Sequence, residues 1–282
     1  MIAPSLQQRL IRASGRLSFG NAGLVAVTGA VFLFLYLPIA VIVLFAFDNK
    51  PVAGLPIEGL TLDWFRAALH DDVLLQALGT STVLALAAAS LACALAMPAA
   101  MTLAWVPLRF KSLVVGLVIG PIVIPQMVIG IALALLLRNV PQFVGGIGII
   151  IGHTTLTACY ATMILQARLL GFRKSLIEAA WNLGANDLRV FWEVILPIAR
   201  PALVAVFLLA FTDAFGEFIV AWFVAGFTKT LPITIWTSLR QVISPELNAI
   251  CTVIIAASLG ISIVAQLWMV RRARRDGMAV GS

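Results

Sequence analysis

Charge is scarce in this sequence, and its scarcity limits what kind of protein it can be. Only 11% of the 282 residues are charged and 62% are hydrophobic, with a mean hydropathy of +1.07. A typical soluble domain has about 25% charged and roughly 45 to 50% apolar residues. The composition therefore excludes an ordinary soluble protein and indicates one embedded in a lipid bilayer.

Residues and motifs that build catalytic and metal centres are also few. There are two histidines, His70 and His153, and three cysteines, which lie scattered in apolar segments without metal-ligand spacing. The sequence contains neither a G-x-x-x-x-G-K-[ST] phosphate loop nor an H-E-x-x-H zinc motif. We therefore expect that the chain is not an enzyme and binds no nucleotide, cofactor or metal by itself.

Six apolar segments are long enough to cross a bilayer, whose hydrocarbon core of about 30 Å takes roughly 20 helical residues. The first segment is too long for the apolar core of a cleaved signal peptide. We predict an all-α polytopic membrane protein, with residues 1–282 as one transmembrane domain. The predicted spans cover residues 22–47, 77–104, 113–137, 147–167, 202–224 and 249–270.

Lysine and arginine are unevenly divided between the two sides of these spans. With the N-terminus in the cytoplasm, five of the 19 basic residues fall outside and the other 14 inside; the five are Lys50, Arg66, Arg138, Lys229 and Arg240. This asymmetry follows the positive-inside rule and predicts that both termini are cytoplasmic. Because the basic residues flank the spans and form no separate domain, the net charge of +7 does not indicate nucleic-acid binding.

Prolines interrupt the third span, in the stretch GPIVIPQMVIG, where Pro121 and Pro125 lie four residues apart. Proline removes a backbone donor and bends a helix. In a bilayer such a break persists where neighbouring protein or a water-lined cavity satisfies the freed backbone groups. The pattern therefore predicts either a packed, bent helix or a helix that lines a pathway.

A polar stretch, EAAWNLGANDLRVFWEVILPIARP, lies in the predicted cytoplasmic loop of residues 168–201. Ser175 followed by Glu178 has the spacing of a helix N-terminus, with Ser175 as the N-cap, and Gly184 is suited to end that helix. A second helix is predicted to start at Asn186 or Asp187 and to run until Pro197 and Pro201 redirect the chain into the fifth span. By residue chemistry alone, the loop is equally suited to dock another protein or to lie on the lipid interface as an amphipathic hairpin.

This loop resembles the E-A-A-x3-G-x9-I-x-L-P signature of permease subunits in binding-protein-dependent ABC importers. Six residues match the signature, with Val194 in place of the usual isoleucine: Glu178, Ala179, Ala180, Gly184, Leu196 and Pro197. The resemblance implies the type I ABC importer permease fold. It also implies that the loop is a coupling helix, which docks on a separate ATP-hydrolysing subunit.

The same resemblance implies the partners and the location of the chain. A second permease subunit, forming a heterodimer, and two cytoplasmic ATPase subunits would complete the transporter, and an extracytoplasmic binding protein would deliver the substrate. ATP and Mg would be used by the ATPase and not by this chain. The complex would lie in the bacterial inner membrane.

The fifth span carries two carboxylates, Asp213 and Glu217, in the stretch FTDAFGEFIVAWF. Their spacing of four residues predicts that they share one face of a helix. Ionisable groups within a membrane usually face a cavity or a partner, so the pair indicates a place for a cation, with Phe218 and Trp222 available for cation–π contacts. The alternative is that the acids pair with a buried group of a partner chain.

Residues 230–254 are similar to the segment between the last two spans in the spermidine/putrescine branch of the family, which implies import of polyamines. That branch usually has a leucine-aspartate-aspartate run where this sequence has Phe215-Gly216-Glu217, so one of the two acidic positions is kept. Two alternatives stay open: an ABC importer for another solute, such as iron, thiamine, a phosphonate or an amino acid derivative, and a stand-alone ion-coupled secondary transporter, for which intramembrane carboxylates are typical.

Overall fold

A computed structural model gives the backbone of residues 18–51, 54–240 and 245–278, and the side chains of residues 23–51, 54–240, 245–260 and 263. Within these ranges the chain is helical, and its extended pairing is limited to the isolated bridge between Asp48 and Leu60. The predicted all-α class is confirmed. The predicted cytoplasmic arginines Arg9, Arg12 and Arg16 lie outside the described residues.

Twelve α-helices occur in the described ranges. A 3-10 turn, Pro141–Phe143, precedes α6, and a π turn, Phe191–Ile195, joins α8 to α9. The helices are α1 (Ser18–Phe45), α2 (Asp63–His70), α3 (Asp72–Trp105), α4 (Lys111–Val123), α5 (Gln126–Leu137), α6 (Gly146–Leu170), α7 (Ser175–Asn182), α8 (Asp187–Val190), α9 (Leu196–Gly216), α10 (Ile219–Val224), α11 (Leu231–Leu239) and α12 (Pro245–Met278).

Four helical stretches are long and apolar enough to span a membrane: Gly23–Phe45, Asp72–Trp105, Gly146–Leu170 and Asp187–Gly216. Helices α4 and α5 meet the same test together and form a fifth. The sixth predicted span lies within α12, whose described apolar part is Pro245–Gly260. The count of six spans and the cytoplasmic placement of the termini therefore stay predictions.

The chain divides into two compact units. One comprises residues 1–71 and 241–282, in which α12 packs against α1 and α2. In this unit the Trp64 indole donates to the carbonyl of Asp48 at 2.6 Å, and Lys50 pairs with Glu58 at 2.9 Å. These contacts tie the loop after α1 to the start of α2.

The other unit, residues 72–240, is built around α3, which packs against α6 and α9. The buried face of α3 is rich in alanine, including Ala88, Ala92 and Ala96, which are fully buried. Small residues let helix backbones approach closely, which is how membrane helices gain packing energy without a hydrophobic driving force. Helix α3 is therefore the central helix of this unit.

The third predicted span is broken rather than gently bent. Helices α4 and α5 meet at an angle of 97°. Ile124 is extended and Pro125 precedes the first residue of α5, so the helical hydrogen-bond ladder stops between them. The interruption predicted from the prolines is therefore present, and the angle between the two helices is larger than that of a kinked helix.

The fifth predicted span, 202–224, is not one helix. Helix α9 ends at Gly216, Glu217 is extended with φ −70° and ψ 120°, and α10 begins at Ile219. The prediction that Asp213 and Glu217 share one helical face is wrong, because Glu217 lies beyond the end of the helix that carries Asp213.

The entry to α9 also differs from the prediction. Pro197 and Pro201 do not redirect the chain, since the π turn leads straight into α9. The amide of Leu196 bonds to the carbonyl of Phe191, one residue further back than in an α-helix. This wider turn precedes Pro197, which has no amide hydrogen to continue a regular ladder.

Candidate functional site

The predicted docking loop is a helix-turn-helix with a closed turn. The amide of Gly184 donates to Trp181 O at 2.8 Å and that of Ala185 to Ala180 O at 3.0 Å, the pair of bonds that defines a Schellman C-terminus. Gly184 has φ +84°, a left-handed conformation that side chains other than glycine adopt with strain. The prediction that Gly184 ends this helix is confirmed.

Two further hydrogen bonds fix the second half of the loop. Asn186 Oδ1 accepts the amide of Arg189 at 2.8 Å, so Asn186 is the N-cap of α8, within the predicted start. The indole of Trp181 donates to Asp187 Oδ1 at 3.0 Å and connects α7 to α8. The predicted N-cap role of Ser175 is wrong, since Ser175 is the first helical residue and its side chain makes no capping bond.

The six signature residues separate into two groups by exposure. Glu178, Ala179 and Gly184 are exposed, and Pro197 is exposed at the start of α9. Ala180 and Leu196 are half-buried, and Ala180 packs against the core of the unit. Next to Gly184, the side chain of Leu183 is 89% exposed. The loop therefore presents apolar and charged side chains around a hydrogen-bonded turn.

Glu217 is buried and all of its described contacts are structural. Its carboxylate accepts the amides of Val220 at 2.9 Å and Ala221 at 3.1 Å, which belong to the first turn of α10. Its Oε2 also lies 3.0 Å from Nε2 of His153 on α6, and the two side chains are only 4% and 3% exposed. Glu217 thus caps α10 and attaches it to α6.

His153 is the residue that sequence reasoning missed at this site. The only signal in the sequence was a lone histidine within an apolar span, and such a histidine is more often a satisfied core residue than a ligand. Because a carboxylate accepts, Nε2 carries the hydrogen that points at Glu217, while Nδ1 has no partner among the described residues. Each of these two buried polar side chains therefore provides a hydrogen-bond partner for the other.

The glycine before His153 lets α10 approach α6. A Cβ on Gly152 would lie 2.6 Å from Val220 Cγ1 and 3.2 Å from Leu133 Cδ2. A Cβ on Gly130 of α5 would lie 2.7 Å from a ring carbon of Phe223 and 3.3 Å from Val220 Cα. Helix α10 is therefore held between α5 and α6, so that the second halves of the two broken spans pack together.

Asp213 has a different environment from Glu217. It is exposed on α9, and its Oδ2 lies 3.4 Å from the hydroxyl of Tyr160 on α6, which donates to it. No basic side chain pairs with Asp213 in the described part of the chain. Asp213 therefore presents a carboxyl group without a basic partner among the described residues at the surface of this unit, within the apolar stretch of a membrane helix.

The two predicted aromatic residues belong to a cluster of three. The ring of Phe218 lies 5.5 Å from Trp222 and 5.5 Å from Trp236 of α11. The guanidinium of Arg240 lies 5.0 Å from the centre of the Trp236 ring. The cluster therefore already holds one cation over an aromatic face, the kind of contact predicted for Phe218 and Trp222.

The helix-turn-helix and both acids lie in a segment that matches one known protein family. The family described as binding-protein-dependent transport system inner membrane component matches residues 94–275, a segment that contains the helix-turn-helix, Asp213 and Glu217. The chain belongs to this family. It is therefore an inner-membrane permease component of an ABC importer, a transport subunit rather than an enzyme, and its family works with a partner permease, an ATPase and a substrate-binding protein.

Curated relatives of this permease cover most of its length. It is 32% identical to the spermidine/putrescine transport system permease protein PotC of Haemophilus influenzae over 84% of this chain and 92% of that one. It is 31% identical to the putrescine transport system permease protein PotI of Escherichia coli K12, over 85% and 88% of the two chains. It is 28% identical to the molybdate/tungstate transport system permease protein WtpB of Pyrococcus abyssi, over 86% and 93%.

The fold of this permease also matches a solved structure. A crystal structure of a bacterial ABC transporter involved in the import of the acidic polysaccharide alginate superposes with a TM-score of 0.66 at 17% identity, covering 95% of this chain and 99% of that one. At that identity the match establishes the fold alone. The type I ABC importer permease fold, expected from the loop signature, is confirmed.

Proposed function

We propose that this permease imports polyamines, putrescine or spermidine, into the cytoplasm. The observation that carries the proposal is the exposed carboxyl group of Asp213, which has no basic partner among the described residues, in a permease whose relatives include PotC and PotI. Polyamines present several ammonium groups separated by methylenes, so their path needs carboxylates and apolar or aromatic walls. Asp213 and the aromatic cluster of Phe218, Trp222 and Trp236 supply these chemical features.

The two acids differ in whether a substrate could contact them. Glu217 is buried and bonded to His153 and to the start of α10, whereas Asp213 is exposed beside Tyr160. We therefore assign the contact with a substrate ammonium to Asp213 and a structural role to Glu217. An exposed carboxylate also disfavours an oxyanion such as molybdate, because like charges in a poorly hydrated path repel strongly.

The helix-turn-helix is proposed to dock on the ATPase, as the family signature implies. Glu178, Ala179 and the exposed turn at Gly184 would form the contact, whereas Ala180 holds the turn from inside through its carbonyl. Leu196 and Pro197 set the start of α9 and would transmit movement of the loop to the span. The rigid turn favours transmission, because a flexible loop would absorb the displacement.

The rest of the assembly is also part of the proposal. We expect a heterodimer of this chain with a second permease subunit, two ATPase subunits that bind ATP and Mg, and an extracytoplasmic binding protein. We place both termini in the cytoplasm on the basis of the 14 to 5 distribution of basic residues. In this orientation, the helix-turn-helix faces the ATPase side.

The test is uptake of labelled putrescine and spermidine by polyamine-transport-deficient cells that carry the complete system. We expect uptake with the intact chain, and a loss of about tenfold or more with Asp213→Asn, on the scale of one charge-assisted contact. Asp63→Asn, which removes an exposed carboxylate from the other compact unit, is the matched control. If the assembled, ATP-hydrolysing complex takes up neither polyamine, the cargo assignment fails while the permease assignment stands.

A further inference from the structure

A cavity of about 160 Å³ lies where α6 ends and α9 begins, apart from Asp213 and from the turn at Gly184. Three segments form it: the last turn of α6 with the loop that follows, the first turn of α7, and the start of α9. Its lining includes Arg168, Leu169, Phe172, Arg173, Leu176 and Ile198. Helix α6 is one of the membrane-spanning candidates and ends at Leu170, so the cavity lies at one end of a candidate span.

The apolar wall of this cavity is fixed by contacts with α3. The Trp105 indole donates to the carbonyl of Leu169 at 3.3 Å, and its ring lies 5.8 Å from that of Phe172. The Leu169 side chain is buried in the core of the unit. The cavity is therefore a formed feature of the fold, with a hydrophobic floor held in place by a neighbouring helix.

The polar side of the cavity carries two cations and no acid. Arg168 and Arg173 line it, and neither has a carboxylate within ion-pair distance in the described part of the chain. Arg189, in the same loop region, instead pairs with Glu193 at 2.9 Å. Two unpaired guanidinium groups beside an apolar wall fit a ligand that has both a phosphate and a hydrocarbon part, since arginine binds phosphate oxygens through two parallel hydrogen bonds.

We propose that this cavity binds an anionic phospholipid, with Arg168 and Arg173 on the headgroup phosphate and Phe172 and Leu176 against the glycerol and first acyl carbons. A free phosphate would offer the same charge, but it would leave the apolar wall without a ligand. Basic pockets between membrane helices on the cytoplasmic side bind such headgroups. The inference rests on the proposed cytoplasmic placement of this end of α6 and on the proposed docking of the helix-turn-helix, and it is independent of the cargo.

Binding at this position would brace the base of the helix-turn-helix. Phe172 and Arg173 belong to the connection between α6 and α7, and Leu176 to the first turn of α7. A bound lipid would join this connection to the start of α9 through Ile198. Lipid composition would thereby influence how firmly the loop transmits the movement of the ATPase.

The test uses the complete transporter in nanodiscs of phosphatidylcholine with a minor fraction of phosphatidylglycerol. The retained phosphatidylglycerol is counted by native mass spectrometry after mild delipidation, for the wild type, Arg168→Gln/Arg173→Gln, and Arg189→Gln as the control outside the cavity. We expect the double variant to retain phosphatidylglycerol at least about tenfold more weakly, and the control to match the wild type. Arg168→Lys/Arg173→Lys, which keeps both charges, is expected to recover part of the binding. This recovery would show that the fold tolerates substitution at both positions.

Three results would overturn the proposal. Equal retention by the wild type and the double variant would show that the arginines do not hold the lipid. Displacement of phosphatidylglycerol by inorganic phosphate at stoichiometric concentration would show that the cavity takes free phosphate without using the apolar wall. Loss of ATPase subunits from the double variant with unchanged lipid retention would assign the two arginines to protein docking instead.

Discussion

His153 Nε2 lies 3.0 Å from Glu217 Oε2 across 64 residues of sequence, and both side chains are almost completely buried. The contact joins α6 to the break between α9 and α10. The same carboxylate accepts the amides of Val220 and Ala221, so one side chain satisfies three donors. The break in the fifth span is therefore held in place by a specific network and is a defined part of the fold.

This network predicts that Glu217→Ala strongly destabilises the permease. The substitution leaves two buried amides and one buried imidazole without an acceptor, and each buried donor left unsatisfied costs about 1 to 3 kcal/mol. Glu217→Gln retains one carbonyl oxygen and is expected to lose less. The measurement is denaturant unfolding of the purified permease complex, with Glu193→Ala, whose partner Arg189 is on the surface, as a control expected to lose under about 1 kcal/mol. Equal losses for Glu217→Ala and Glu193→Ala would contradict the structural role.

A second prediction concerns the close approach of α10 to α6. Gly152→Ala places a Cβ 2.6 Å from Val220 Cγ1, and a β-branched valine at the start of a short helix has little freedom to move away. We expect a loss of about 1 to 3 kcal/mol from overpacking, measured in the same unfolding experiment. Gly116→Ala in α4 is the matched control, because a Cβ there meets nothing within 4 Å. A stable Gly152→Ala variant would show that α10 is not held tightly against α6.

A third prediction tests the turn in the helix-turn-helix. Gly184→Val forces a β-branched residue into φ +84° and is expected to strain the turn by roughly 1 to 2 kcal/mol. Substrate-stimulated ATP hydrolysis should then fall in the assembled complex, although the protein still reaches the membrane. Gly184→Asn is expected to restore most of the activity, since asparagine adopts the left-handed conformation more readily. Full activity of the valine variant would mean that coupling does not need this turn.

A fourth prediction addresses the docking contact. Glu178→Arg reverses an exposed charge on α7 without touching the hydrogen bonds of the turn, so the fold should be retained. We expect co-purification of the ATPase subunits to fall by tenfold or more and uptake to be lost, on the scale of an interface charge pair that becomes repulsive. Asp187→Asn, which keeps an acceptor for the Trp181 indole, is the control expected to keep its ATPase. Unchanged ATPase binding by Glu178→Arg would remove Glu178 from the docking surface.

Several features of this permease were predictable because they depend on local sequence. Gly184 marks the end of α7 because its backbone conformation is a property of the residue itself, and Pro125 marks the break before α5 because it lacks an amide hydrogen. The membrane class was predictable from the scarcity of charged residues, which leaves long apolar segments. An apolar segment of about 20 residues is typical of a membrane-spanning helix. The loop signature identified the family by the spacing of residues within one short segment.

The roles of the two acids depended on contacts between distant segments. Asp213 and Glu217 are equivalent by their helical spacing, which assumes that α9 continues through both. In the structure the helix ends at Gly216, and the close packing of α10 against α6 at Gly152 brings His153 to Glu217. Hydropathy and local propensity therefore determine the class, the turn and the proline break. The role of each acid depends on which partner the tertiary structure places beside it, because that partner comes from a distant part of the sequence.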